Sequence, residues 1–343
     1  MNSVCHQTKR PTIICLTPIK NEAWILDRFL KCASLWADHI IIADQASTDG
    51  SREIALRYPK VTLIENSSPD FNEPERQKLL IDAARQFPEP RLLIALDADE
   101  FLTANVTDSL EWATVLEAPV GSIIQFDRAE ILPGIRSYWI QPYSSFNFGF
   151  LDDGSQHVGE KIHSPRVPNP PLAPIISLRE IKIMHYQFTD WNRMRSKHRW
   201  YQCWERLNRP ERRAAQVYRQ YHHMYAVSKS EIHALPKEWL SGYEQQKIDM
   251  TSVKQEQIYR WDKEVLDLFD KYGSKTFRKE AIWDVNWPEL LQKSGNNDSA
   301  VDCRDPRNFL DKAIHSWLRN SQPEHTKLRI KFIDRFILRL LSW

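Results

Sequence analysis

Apolar positions in the first hundred residues come in short blocks separated by polar turns. Thr12–Thr17, Ile40–Ala43, Val61–Ile64 and Leu92–Ala95 read as strands, the last as one buried in the core. Between them, Leu26, Phe29, Leu30 and Ala33 recur at helical spacing, Ile54–Leu56 marks a short helix, and a third helix is predicted around Arg76–Ala84. Strands alternating with helices predict an α/β fold with a mostly parallel sheet. Further on, Ile123–Phe126 predicts a strand continuing into Asp127–Glu130, and Ile181–Tyr186 predicts another. The run Tyr138–Phe148 is rich in aromatics. It reads either as a loop offering ring faces to a sugar or as a hydrophobic strand. Trp191–Tyr225 predicts helix, and helices are expected to continue from Pro236 to about Leu291.

Polar residues stop the early strands, and their identity narrows the chemistry. Asp97 and Asp99 follow Leu92–Ala95 directly. Carboxylates placed against a buried strand need positive compensation. A divalent cation carrying a diphosphate supplies it, because hard cations take carboxylate and phosphate oxygens. Pro18 and Asn21 follow the first strand and Asp44 ends the second. In parallel sheets ligands bind beyond the carboxyl ends of strands, so these exits are expected to form one site. Asp49-Gly50-Ser51 is expected to be a turn and helix cap without a ligand role.

The segment 12–102, through Pro18-x-x-Asn21-Glu22, Asp44 to Ser51, Arg76 and Asp97-Ala98-Asp99, resembles the nucleotide-binding half of family 2 glycosyltransferases, which have the GT-A fold. The resemblance implies that Pro18, Asn21 and Glu22 shape the donor site and that Asp44 grips the base. It also implies that Arg76 lies near base and phosphates, that Asp97 faces the ribose, and that Asp99 holds Mn2+ or Mg2+. Where members often carry Asp-Asp-Gly-Ser, this chain has Asp44-Gln45-Ala46-Ser47, without the second carboxylate and the glycine. An inverting transfer further needs a carboxylate base. By position after the Asp-x-Asp, Asp152, Asp153 and Glu160 qualify, with Asp153 preferred. Lys161 is a phosphate candidate. The resemblance also implies that a histidine closes the metal site, here His185, whose neutral imidazole suits manganese.

The helical segment after residue 190 interleaves arginines with Trp191, Trp200, Tyr201, Trp204, Tyr218, Tyr221 and Tyr225. Its Ser196-Lys197-His198-Arg199-Trp200 is similar to the Gln-x-x-Arg-Trp of processive polysaccharide synthases. Ser196 replaces the glutamine and no apolar stretch spans a bilayer, so a processive reading is rejected. At the C-terminus, Lys327, Lys331, Arg335 and Arg339 form a basic stripe beside Leu328, Phe332, Ile333, Phe336, Ile337, Leu340 and Leu341. That pattern predicts an interfacial helix resting on a membrane surface or docked on protein.

Composition changes little. A net charge of +2 over 343 residues gives no case for a nucleic-acid partner. Five scattered cysteines without a Cys-x-x-Cys predict neither a zinc site nor a disulfide framework. The N-terminus lacks an apolar h-region, so the expected location is cytoplasmic, with peripheral contact at the membrane face through the last helix. The expected organisation is a GT-A α/β catalytic domain at 10–188, with a nucleotide half at 12–102 and an acceptor half at 103–188. A helical extension at 189–292, a linker at 293–308 and a terminal helix region at 309–343 follow. The expected reaction moves a sugar from a nucleotide-sugar donor, UDP by resemblance, to a glycan or lipid acceptor. A nucleotidyltransferase is disfavoured because Pro18, not a glycine-rich loop, follows the first strand. A non-catalytic nucleotide- or sugar-binding protein is the third reading, prompted by Gln45 and the unsettled base.

Overall fold

The computed structural model describes residues 9–68, 71–294, 301–341 and 343. Pro69, Asp70 and residues 295–300 of the expected linker lie outside that description, as do the side chains of residues 142–145, Leu338 and Leu340. By contacts the chain forms two compact units, residues 1–189 with 234–253, and residues 190–233 with 254–343.

In chain order the first unit comprises β1 (Thr12–Ile19), α1 (Leu26–Trp36), β2 (His39–Asp44), α2 (Ser51–Ala55), β3 (Val61–Glu65), α3 (Glu73–Ala84), β4 (Arg91–Ala95) and β5 (Glu100–Leu102). Then come α4 (Leu110–Leu116), β6 (Ile123–Ile131), β7 (Ser137–Leu151) and β8 (Ile175–His185). The strands follow the order β3-β2-β1-β4-β7-β6-β8-β5. β1 to β4 are parallel, β7 is antiparallel to both β4 and β6, β8 is parallel to β6, and β5 is antiparallel to β8. This is an α/β architecture with a central sheet flanked by helices, as the strand and helix pattern of the sequence predicts. Side-chain alternation explains the layering. Ile13 and Cys15 face one core with Phe29, Leu30 and Ala33 of α1, whereas Ile14 and Leu16 face the other with Leu80, Ile81 and Ala84 of α3. Helices therefore cover both faces, and the first strands can be apolar throughout. α3 starts where Asn72 caps the Glu75 amide, with Pro74 in its first turn.

Tyr138–Phe148 lies within β7, so the strand alternative is the one realised. Part of the aromatic content is packing: Tyr138 lies 4.6 Å from Trp239 and Trp139 lies 5.9 Å from Phe188, between ring centres.

The helices of the remaining chain are α5 (Trp191–Asn208), α6 (Ala214–Tyr221), α7 (Glu238–Gln245), α8 (Arg260–Tyr272), α9 (Trp287–Lys293), α10 (Phe309–Ser321) and α11 (Leu328–Leu340). α7 belongs to the first unit, where the Tyr243 hydroxyl donates to the Leu102 carbonyl at 2.8 Å. In the second unit Cys203, Val265, Phe269, Phe277 and Trp287 form one core, while Ala215, Tyr218, Leu318, Ile337 and Trp343 form another. α6 and α11 are tied by Arg219, whose Nε and Nη2 each donate to Asp334 at 3.0 Å. Trp239, Trp261, Trp283 and Trp287 are buried, as packing residues should be. Among the described residues no helix is long and apolar enough to cross a membrane.

Candidate active site

The parallel strands deliver their exits to one edge. Ile19 pairs with Asp44 across β1 and β2, and Leu16 pairs with Ala95 across β1 and β4, so the turns after β1, β2 and β4 adjoin. The first two are stitched together. Asn21, at φ 58°, accepts from the Thr48 amide at 2.7 Å, and its own amide donates to Ser47 Oγ at 2.8 Å. Asparagine tolerates this left-handed conformation better than most residues. The Glu22 amide donates to Ser51 Oγ at 2.9 Å, and the Glu22 carboxylate accepts from Trp24 Nε1 at 2.8 Å. Asp49 accepts from the Ala23 and Ser51 amides, the turn role expected of it. Pro18 precedes this knot, paired with Ala43. Asp44 is fully buried: Arg52 Nη1 donates to it at 2.6 Å and the Ser47 amide at 3.3 Å. Its carboxylate thus braces the Gln45–Ser47 turn from behind.

The acidic strand exit builds a denser cluster. β5, β8 and β6 set Glu100 opposite His185 and His185 opposite Glu130, one row across three strands. His185 Nδ1 lies 2.6 Å from Glu130 Oε2, and its Nε2 lies 3.6 Å from Asp99 Oδ2. The Tyr186 amide donates to the Asp99 carbonyl at 2.8 Å and fixes that approach. Arg128 donates to Glu130 at 3.0 Å and lies 3.7 Å from Glu100. Arg166 donates to Asp97 at 2.8 Å and to Glu100 at 3.1 Å. Phe146 and Phe148 of β7 support these guanidiniums, with Arg128 4.6 Å and Arg166 5.0 Å from the ring centres.

Burial raises the Asp97 carboxyl, but Arg166 and then Arg76 outweigh it and hold it at about 2. Burial pushes Glu100 the other way, upward, against the pull of Arg166. Burial opposes charge on His185, yet the Glu130 and Asp99 carboxylates prevail and push it up to about 9.

The remaining expected residues divide. Arg76, on the first turns of α3, lies 3.7 Å from Glu73 and over Phe71, and its buried Nε has no hydrogen-bond partner among the described residues. The Glu73 amide donates to the Lys161 carbonyl at 3.1 Å, and its carboxylate accepts from the Ser164 amide at 2.7 Å. That anchors the loop carrying exposed Glu160 and Lys161 at the same end of α3. Ser164 Oγ is also buried without a partner among the described residues, and Gly159 packs where a Cβ would lie 1.7 Å from it.

Asp152 and Asp153 are not brought to this edge. Asp152 follows Leu151, which pairs with Leu92 at the start of β4, so about 20 Å of strand separates it from Asp97. Its fully buried carboxylate is caged by Arg85 at 2.8 Å and Arg91 at 2.9 Å. Burial raises the Asp152 carboxyl, but Arg85 outweighs that and its net shift is downward. Asp153 accepts from the Ser155 amide at 2.8 Å beside Gly121, at the same far end. Asp152 and Asp153, the preferred base candidate, therefore lie at the end of β4 opposite Asp97 and Asp99. Arg166, Arg128, Glu100 and Glu130 were not expected in the site. The available signal was Glu130, a carboxylate between the buried Ala129 and Ile131.

Among the described residues no three His, Cys, Asp or Glu side chains are grouped to hold a metal by themselves. Asp99 and His185 form a two-ligand pair at most. Magnesium is commonly bound through only one or two carboxylates, with phosphate oxygens and water completing the shell.

No family model and no curated protein matches the chain. Among solved structures it is similar to S. aureus TarS 1–349, at 11% identity and a TM-score of 0.34, over 83% of this chain and 78% of that one. It is also similar to HddC from Yersinia pseudotuberculosis, at 10% identity and a TM-score of 0.31, over 50% and 92%. A third similarity is to a 4-diphosphocytidyl-2C-methyl-D-erythritol synthase, at 14% identity and a TM-score of 0.28, over 36% of this chain. The match spans 63% of the synthase, under two thirds of its length. Likeness at this level carries no functional assignment.

Proposed function

We propose that this chain is a metal-dependent glycosyltransferase of the family 2, GT-A kind. It would transfer a sugar from a nucleotide diphosphate, UDP in the first instance, to a hydroxyl of a glycan or lipid acceptor, with inversion. The observation that carries the proposal is the Asp99–His185 pair with Glu130 behind it. A carboxylate that takes the Nδ1 proton of a histidine leaves Nε2 as the ligand atom, the usual support for a metal-binding imidazole. The 3.6 Å between Nε2 and Asp99 Oδ2 exceeds a hydrogen bond but suits two ligands of one cation, about 3 Å apart for bonds of roughly 2.1 Å.

Asp99 and His185 would hold Mn2+ or Mg2+, which would offset charge on the departing diphosphate. Arg76 Nε and Ser164 Oγ, both buried without partners among the described residues, are suited to phosphate oxygens. Lys161 would add charge at the rim. Asp97, kept ionised by Arg166, is assigned to the ribose. Pro18, Asn21 and Glu22 would position the donor through the turn they stiffen, and Asp44 through the Gln45–Ser47 turn where we place the base. Glu160 is the remaining carboxylate able to take the acceptor proton. We assign the chemistry to residues 10–188, with 12–102 binding donor and 103–188 facing acceptor, and treat the helices beyond as an extension.

Peripheral membrane contact is a second element of the proposal. On α11, Leu328, Phe332 and Phe336 are 85%, 73% and 54% exposed, while Ile330 and Ile337 pack inward. Arg329, Lys331, Arg335 and Arg339 surround that apolar ridge. Such a surface suits the interface of an anionic bilayer.

The experiment is product analysis with a panel of UDP-sugars, Mn2+ and mixed glycan and lipid acceptors. Release of UDP with sugar transfer supports the proposal. UTP and sugar 1-phosphate formed from a UDP-sugar on addition of pyrophosphate would identify a nucleotidyltransferase, and binding without turnover a non-catalytic protein.

A further inference from the structure

The helical unit contains a cavity of about 760 Å³, bordered by α5, α6 and α10. That is ample for a pair of sugar rings and within the range of ordinary ligand sites. Four arginines line it, Arg195, Arg199, Arg307 and Arg319, against a single lining carboxylate, Asp284. Three of the four are already matched. Arg199 donates to Asp262 at 2.8 Å and 3.1 Å, Arg195 donates to Asp284, and Arg307 donates to Asp305 at 2.9 Å. With Asp262, Asp284 and Asp305 paired off, the cavity keeps one uncompensated positive charge. Arg319 carries it, for it makes no hydrogen bond or ion pair among the described residues and is exposed.

Two of the three histidines of the cavity, His198 and His222, supply acceptors instead of charge. Burial holds His198 well below its ordinary value and His222 at about 4, so both are neutral. The Nδ1 of each lies 2.9 Å from a helix carbonyl, that of Tyr221 for His198 and that of Tyr218 for His222. A neutral imidazole donating from Nδ1 has a lone pair on Nε2, a partner for a ligand hydroxyl. Aromatic faces complete the wall. Tyr218 stacks on His222 at 3.9 Å and 2°, and Trp191 meets Tyr225 edge-on at 5.7 Å.

One net cation, hydroxyl-accepting imidazoles and flat apolar faces define a ligand class. We propose that this cavity binds a saccharide carrying a single negative charge, a sugar bearing one carboxylate or one phosphodiester. The guanidinium of Arg319 would take the anion, the stacked rings the apolar face of the sugar, and the imidazoles its hydroxyls. This assignment is independent of the donor site proposed above.

The test is calorimetric titration of the full chain with methyl β-D-glucuronide, with a methyl phosphodiester of glucose, and with uncharged methyl β-D-glucoside. The expected result is that at least one charged probe binds about tenfold tighter than the glucoside, the contribution of one charged hydrogen bond. Whichever charged probe binds identifies carboxylate or phosphodiester as the group recognised. Arg319→Gln should abolish that preference and leave glucoside binding unchanged, and Arg319→Lys should restore part of it. Because Arg319 is exposed, an unchanged melting curve is expected for both variants. UDP binding with Mn2+, measured on Arg319→Gln, should equal wild type and so keeps this test separate from the donor site. Equal binding of charged and uncharged probes, no binding of any probe, or a preference that survives Arg319→Gln would overturn the assignment.

Discussion

Arg166→Gln removes one cation from between two carboxylates and keeps much of the side-chain volume. Arg166 Nη2 lies 2.8 Å from Asp97 and 3.1 Å from Glu100. Burial alone would raise Asp97, and Arg166 is the largest influence holding it at about 2 against an ordinary 3.8. A shift of that size corresponds to about 2 kcal/mol. The Asp97 side chain is 31% exposed, so solvent takes a share and roughly 1–2 kcal/mol remains. Glu100 is fully buried, and stranding its charge adds about 1–3 kcal/mol. The expected loss near pH 7 is about 2–5 kcal/mol, a fall in melting temperature of roughly 5–10 °C. The pH dependence carries a sign. The folded value of Asp97 is depressed, so its contribution is present above about 3.8 and disappears as pH falls through about 2. Burial raises Glu100, so in the variant a proton on Glu100 relieves the stranded charge. The gap between wild type and variant should therefore be widest near pH 7 and narrow toward pH 4. Melting curves across that range decide it. A gap under about 1 °C at pH 7, or one that widens on acidification, would refute the reasoning.

Asp152→Asn should destabilise by about 3–5 kcal/mol in denaturant titration, because two guanidiniums lose their buried partner, with turnover per folded molecule unchanged. Arg76→Ala should weaken UDP binding about tenfold by calorimetry, since its Nε has no partner among the described residues, and should lower the melting temperature less than Arg166→Gln does, since it is the smaller influence on Asp97. Phe332→Glu with Phe336→Glu should abolish co-sedimentation with anionic vesicles and leave UDP binding intact, because both side chains are exposed.

The sheet was legible because β1, β2 and β4 are apolar on both faces and end abruptly in polar residues. Those stops include Asp44, Asp97 and Asp99, on which the proposed site is built. The segment after β7 was not legible, for a geometric reason. From Asp152 it runs along α3, from Arg85 at one end to Glu73 at the other, about 18 Å of helix. Asp153 and Glu160 are close in sequence and lie at opposite ends of that path. The row Glu100–His185–Glu130 depends on pairings between strands far apart in the chain, which periodicity does not reveal. Arg166 lies between Pro165 and Pro168 with no pattern to mark it. His185, by contrast, ended a recognisable strand, and its approach to Asp99 joins two residues singled out separately.

The central claim is that Asp99 and His185 hold a cation that recruits a nucleotide diphosphate. Calorimetric titration of UDP into wild type and Asp99→Ala, with and without Mn2+, tests it most directly. The account predicts binding to wild type that requires Mn2+ and is lost in Asp99→Ala. Metal-independent binding, or binding that Asp99→Ala leaves intact, would contradict it.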